Sequence, residues 1–191
     1  MVAALILLAI VVLVVFWVIG AYNGLIGLRN KVANGWKQID VQLKRRHDLI
    51  PNLVNTVKGA MDFERNTLEA VIAARNKAVN ATGVAQTAKA EGELTQALGR
   101  LFALTEAYPD LKATGNVAQL QEELTSTENK IGFARQLYND VATEYNTRQA
   151  TFPTMLVAGL AKATPVELWQ ITDDTERAVP TVDLSMNKPA P

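Results

Sequence analysis

The chain has 191 residues with 19 basic and 19 acidic side chains, one His and no Cys. Without Cys it has no disulfide framework, zinc-thiolate site, iron–sulfur cluster or thiol nucleophile, and a formal charge of zero argues against a nucleic-acid binder, which carries a basic excess. A hydrophobic share of 49% is too high for a disordered chain, and the length suits one domain of ordinary size.

The apolar residues are unevenly spread. Every residue from Met1 to Ile19 is apolar, and the first charge is Arg29. Without that run the hydrophobic share falls to about 44%, ordinary for a soluble domain, so the chain reads as a membrane segment followed by a soluble domain. As a helix, Val2 to Tyr22 spans about 30 Å, the thickness of the bilayer hydrocarbon, with Trp17 and Tyr22 near the interface that such rings favour. A cleaved secretory signal needs a basic leader, a shorter apolar core and a small-residue cleavage site. No Lys or Arg precedes this run and Gly20-Ala21 is a poor cleavage site, so a retained transmembrane anchor over residues 1–22 is expected. Arg29, Lys31 and Lys37 follow the anchor and nothing basic precedes it, which predicts a cytoplasmic soluble domain and an outside N-terminus.

Past the anchor, Leu25, Leu28, Val32, Trp36, Ile39 and Leu43 recur at spacings of three and four, marking one helix face that continues out of the bilayer. Lys44-Arg45-Arg46 interrupts it and Pro51 removes a backbone donor, so a kink or helix restart is predicted there, with Asp48 as a local cap. The period resumes from Leu53 to Ile72 and stops near Asn80-Ala81-Thr82-Gly83. A third helix is predicted from about Ala85 to Tyr108, ending at Tyr108-Pro109-Asp110. The fourth segment carries a heptad seam, Val117, Leu120, Leu124, Thr127, Ile131, Ala134, Tyr138, Val141 and Tyr145, closed by Phe152-Pro153. A short apolar helix and an extended tail, with Val179 to Leu184 as one strap, complete the chain over residues 154–191.

The fold expected is therefore all-α: an N-terminal transmembrane helix continuing into a long-helix antiparallel bundle over residues 23–153, with an irregular C-terminal tail. Helices of about 25 and 35 residues would leave part of the long leading pair uncovered, facing headgroups or neighbouring subunits.

Little in the chain points to catalysis or to a cofactor. His47, the single imidazole, reads as a partly exposed polar residue, and no phosphate-binding glycine loop or metal-spaced carboxylate cluster is present. Glu106, Glu128, Arg135, Asn139 and Asn146 lie on or beside the apolar seams. Buried polar groups must find partners, so a hydrogen-bonded network that fixes helix register is expected, with a ligand pocket as the sharper alternative. Charge is polarised: Tyr22 to Lys58 holds seven basic and two acidic residues, and the remainder is acidic by five. Arg29, Lys31 and Lys37 lie close enough to anionic headgroups to contribute about 1 kcal/mol each at the surface. Lys44, Arg45 and Arg46 stand farther out, facing acidic surfaces of this bundle or of a neighbouring subunit.

Several of these residues also form a pattern. Tyr22-Asn23, Trp36, Ile39-Asp40-Val41-Gln42-Leu43-Lys44-Arg45-Arg46, Asp48-Leu49-Ile50-Pro51-Asn52-Leu53-Val54, Glu106-Ala107-Tyr108-Pro109-Asp110, Ala134-Arg135, Tyr138-Asn139 and Tyr145-Asn146 resemble the LemA family of bacterial membrane proteins. The resemblance covers the chain to about Pro153, and the tail matches loosely. It implies a single-pass helical bundle in the bacterial inner membrane, with no reaction attached. It also implies kinship with the magnetosome protein MamQ, associated with an internal membrane compartment, and with members found beside membrane proteases of the HtpX type. Two functions follow as expectations. One is a self-assembling, homo-oligomeric scaffold that organises the lipid bilayer, and the other an adaptor docking a membrane-protein heteropartner such as a protease or receptor.

Overall fold

The computed structural model describes residues 1–58, 64–106, 108 and 115–170, apart from the side chain of Glu106. The predicted strap from Val179 to Leu184 lies outside the described residues. Five helices and no strand are present among them: α1 (Val2–Lys58), α2 (Arg65–Val79), α3 (Val84–Glu106), α4 (Gly115–Ala150) and α5 (Met155–Ala158). The all-α architecture is as expected.

Helix α1 is continuous over 57 residues, about 85 Å. Its first part touches nothing: Leu5 and Leu7 are two-thirds exposed, and Ala21 is the first buried residue. From there α4 packs along α1, and the pair is antiparallel, because Gly24 lies beside Arg148, Gly35 beside Tyr138 and Arg46 beside Glu128. Gly35 marks the closest approach, since a Cβ there would stand 3.4 Å from the Tyr138 Cα. With 36 residues, α4 matches the part of α1 beyond the anchor, so the leading helix is not left uncovered as its length suggested. The periodicity placed the shared seam well, with three changes: Leu120 is only half-buried, Ala142 is buried where Val141 was expected, and Gln149 extends the seam.

The helix restart expected as one alternative at Pro51 does not occur; α1 runs through it, and Asp48 is an exposed mid-helix residue rather than a cap. Proline at 51 deprives the His47 carbonyl of its intrahelical donor. The Arg75 Nε on α2 donates to that oxygen at 2.7 Å, and the helix continues because the missing bond is supplied from outside.

Helices α2 and α3 form a hairpin against the distal half of the α1–α4 pair. Two apolar cores result. The distal one gathers Ile50, Leu53, Val57, Val71, Leu94 and Leu101 from three helices and closes on Val117 and Leu124 of α4. The proximal one joins Leu25, Ile39, Ile131, Tyr138 and Tyr145 to Trp169 of the segment after α5. Each fully buried Leu or Ile contributes about 1.5–3 kcal/mol relative to exposure.

Candidate functional site

Between the two cores lies a buried charged node. On α1, the spacing Ile39, Leu43, Arg46, Ile50, Leu53 puts Arg46 in a seam position, and on α3 Glu91 occupies the same stripe as Leu94, Leu98 and Leu101. The Arg46 Nη1 donates to Glu91 Oε2 at 3.2 Å and pairs with Glu128 Oε2 at 3.0 Å, while Nη2 donates to Thr95 Oγ1 at 2.7 Å. The Thr95 hydroxyl in turn donates to the Glu91 carbonyl. His47 Nε2 lies 2.6 Å from Glu91 Oε1, within hydrogen-bonding distance. The Arg46 and Glu91 side chains are each 4% exposed.

A charge pair this deep loses its hydration, and the loss is offset only where every donor and acceptor is used. Here Arg46, Glu91, His47 and Thr95 satisfy one another across α1 and α3, and Glu128 adds α4. The node ties three helices to one another, and its groups are engaged with each other. His47 is therefore buried and paired, correcting the expectation of a partly exposed residue. Glu91 and Thr95 were missed by the sequence reading, although a carboxylate inside an otherwise apolar stripe is a legible signal.

The predicted polar network divides in two. Glu128 belongs to the node, and Glu106 lies with its side chain outside the described residues. Asn139 and Asn146 do not link helices; they hold the segment after α5. Asn139 Nδ2 donates to the Trp169 carbonyl at 2.9 Å and its Oδ1 accepts from the Trp169 N–H at 2.8 Å. Asn146 makes the same pair of bonds with Val166. Seven helical residues rise about 10.5 Å and three extended residues span about 10 Å, so the two amides match the backbone groups of residues 166–169, an extended strap distinct from the one expected at Val179 to Leu184. The Tyr138 hydroxyl donates to the Glu167 carbonyl, and the Arg135 guanidinium stacks 5.2 Å from the Trp169 ring centre. Burial, and then the Glu167 charge, raises the Tyr138 phenol above its ordinary value of 10. Trp36 packs on both Tyr138 and Trp169, completing the strap's seat.

Of the six basic residues singled out, Arg46 is buried with carboxylates of its own chain, while Arg29, Lys31, Lys37, Lys44 and Arg45 are exposed. Among the described residues, one open groove of about 530 Å³ lies between α1 and the α2–α3 hairpin and includes Asp40, Lys44, His47 and Arg75 in its wall. A second, of about 440 Å³, flanks the α1–α4 pair and is formed by Val41, Phe133 and Leu137 with Lys37 and Lys130 at its rim. Gln42, in the wall of this second groove, has its Oε1 buried without a hydrogen-bond partner. No group of His, Asp and Glu able to hold a metal ion occurs among the described residues.

A single long apolar helix that continues without a break into a bundle, with its own charged register node, defines a membrane-associated helical-bundle protein. The LemA family model matches residues 35–184, and the chain belongs to the LemA family. That match runs past the Pro153 limit suggested by the residues alone and takes in the strap. Protein LemA of Metamycoplasma hominis is 29% identical over 171 residues, covering 88% of this chain and 78% of its own. Magnetosome proteins MamQ 2 and MamQ 1 of Paramagnetospirillum magneticum are each 30% identical over 81 residues, 42% of this chain and 30% of theirs.

Proposed function

We propose that this chain is a non-enzymatic, membrane-anchored scaffold whose bundles associate side by side to organise or shape the bacterial inner membrane, with the N-terminus outside and the bundle cytoplasmic. The observation that carries this reading is the open flank of the α1–α4 pair. The opposite flank is covered by the hairpin and the strap, whereas Phe133 stands 74% exposed beside Val41 and Leu137. Exposed aromatic and aliphatic groups lining a groove suit a protein occupant.

A second copy is the occupant that the molecule itself supplies. The anchor holds every copy at one height, so corresponding levels of neighbouring bundles meet. Exposed cations are concentrated on α1, and α4 carries five acidic residues against three basic, so a heterologous contact between one copy's α1 flank and the next copy's α4 is favoured by charge. Contacts of that kind propagate into rings or arrays. The kinship with proteins named for the magnetosome fits a role at a membrane.

Light scattering and negative-stain images of the full-length protein in mild detergent test this. Assemblies larger than a monomer are expected, and Phe133→Glu with Leu137→Glu should disperse them while helicity is kept. A wild-type monomer at all practical concentrations and salt levels would overturn the scaffold. If that monomer crosslinks in cells through position 133 to one membrane protein, the adaptor reading takes its place.

A further inference from the structure

The corner between α4 and α5 exposes more apolar surface than its fold requires. Phe152 is 77% exposed, Met155 51%, Leu156 67% and Leu160 69%, while Val157 is buried, Ala161 joins the proximal core and Ala158 packs against it. The corner is nonetheless well formed. Met155 N–H donates to the Thr151 carbonyl, Ala161 N–H to Val157 and Ala163 N–H to Ala158, so its backbone is internally paired and the outward side chains are held in place. Phe152, Leu156 and Leu160 recur every four residues. A water-facing helical turn would carry polar groups there.

The register of the α1–α4 pair says where this corner lies. Gly24 is beside Arg148 and Gly35 beside Tyr138, so each residue gained along α1 is one lost along α4. Extended by one turn, the same register puts Phe152 level with Ala21, the first buried residue of α1 and the end of the bilayer-length apolar run. No charge occurs in α1 between Ile19 and Arg29, so this level is interfacial in character. Exposed Arg148 and Lys162 flank the apolar corner, and long basic side chains there reach headgroups while their stems lie along acyl chains.

We propose that the α4–α5 corner is a second membrane contact, in which Phe152, Met155, Leu156 and Leu160 insert into the interfacial layer of the leaflet from which α1 emerges. It rests on the reading of α1 as a membrane span and is continuous with it. One helix alone leaves a bundle free to tilt and rotate about its axis; a second contact beside it fixes both. The bundle then stands with its open flank at a set orientation to the membrane plane.

The chain has no Cys, so single nitroxide labels can be placed without background. Full-length Leu156→Cys, Leu160→Cys, Val11→Cys and Thr125→Cys proteins would be labelled and reconstituted at one copy per nanodisc in mixed zwitterionic and anionic phospholipid. Collision with oxygen reports lipid, and collision with a water-soluble nickel chelate reports solvent. Labels at 156 and 160 are expected to favour oxygen like the one at 11, and the label at 125 to favour nickel. Labels at 156 and 160 that match 125, while 11 remains in lipid, would overturn the second contact and leave the anchor intact. An aqueous reading at 11 would instead overturn the membrane span itself, and the second contact with it. Shielding at 156 and 160 that occurs only in discs holding several copies would assign the corner to a protein contact, and overturn the proposal as well.

Discussion

On the distal side of Arg46 four helices surround an aliphatic core, whereas on the membrane side the same α1 and α4 face each other with the start of α3, α5 and an extended strap beside them. Two helices cannot bury their seam from both flanks, because each presents a cylinder and leaves grooves on either side. The distal half closes those grooves with the α2–α3 hairpin, and apolar stripes of Ile, Leu and Val suffice. The proximal half closes one groove with residues 166–169, held by aromatic packing and paired amide bonds, and leaves the other open at Val41, Phe133 and Leu137. Stability and exposure are thus distributed unequally along one helix pair, and the open groove belongs to the half nearest the membrane.

Three substitutions test that contrast. The largest effect is expected at the node between the halves. Glu91→Ala leaves Arg46 and His47 without their shared partner, and chemical denaturation of the full-length protein should show a loss of about 3–5 kcal/mol. The exposed Lys77–Glu93 pair is the control, since Lys77→Ala should change stability by about 0.5 kcal/mol or less. Equal effects from the two would mean that the node does not hold the halves together.

A smaller loss, about 1–3 kcal/mol, is expected from Arg75→Met, which orphans the His47 carbonyl. Pro51→Ala in the same chain restores an N–H to that oxygen and should recover part of the loss. Additive damage in the double variant would show that Arg75 acts through something other than the proline gap.

The smallest global effect belongs to the strap. Asn139→Ala with Asn146→Ala removes four backbone bonds at a net contribution of about 0.5–1.5 kcal/mol each, but the cost is local to residues 159–170. Proteolysis after Lys162 should quicken while the global unfolding midpoint hardly moves. An unchanged cleavage rate would break the assignment of these amides to the strap.

Much of the fold was legible because long helices announce themselves by period. The seam from Val117 to Tyr145 was read almost residue by residue, and α1 was followed from the anchor to Leu43. The misreadings share one cause. Pro51 was judged by a local rule, under which proline ends a helix, and Arg75 on another helix satisfies the carbonyl it frees. The Lys44-Arg45-Arg46 run was expected to face acidic surfaces of this bundle or of a neighbour; Arg46 meets Glu91 and Glu128 of its own bundle, but from inside it, while Lys44 and Arg45 stay exposed. His47 was misjudged likewise, since a lone imidazole amid charges looks solvated until its partner 44 residues away is known.

The sequence by itself determined the bilayer-length apolar run, the all-α class and most of the faces that bury, because those depend on composition and on spacings within single segments. Tertiary structure decided which charges are internal, which carbonyl a side chain caps, which flank stays open and at what height Phe152 and Leu156 stand relative to the anchor. Those outcomes depend on register between helices distant in sequence. Here the antiparallel pairing of α1 with α4 fixes that register, and with it the level at which each exposed side chain meets lipid, water or another chain.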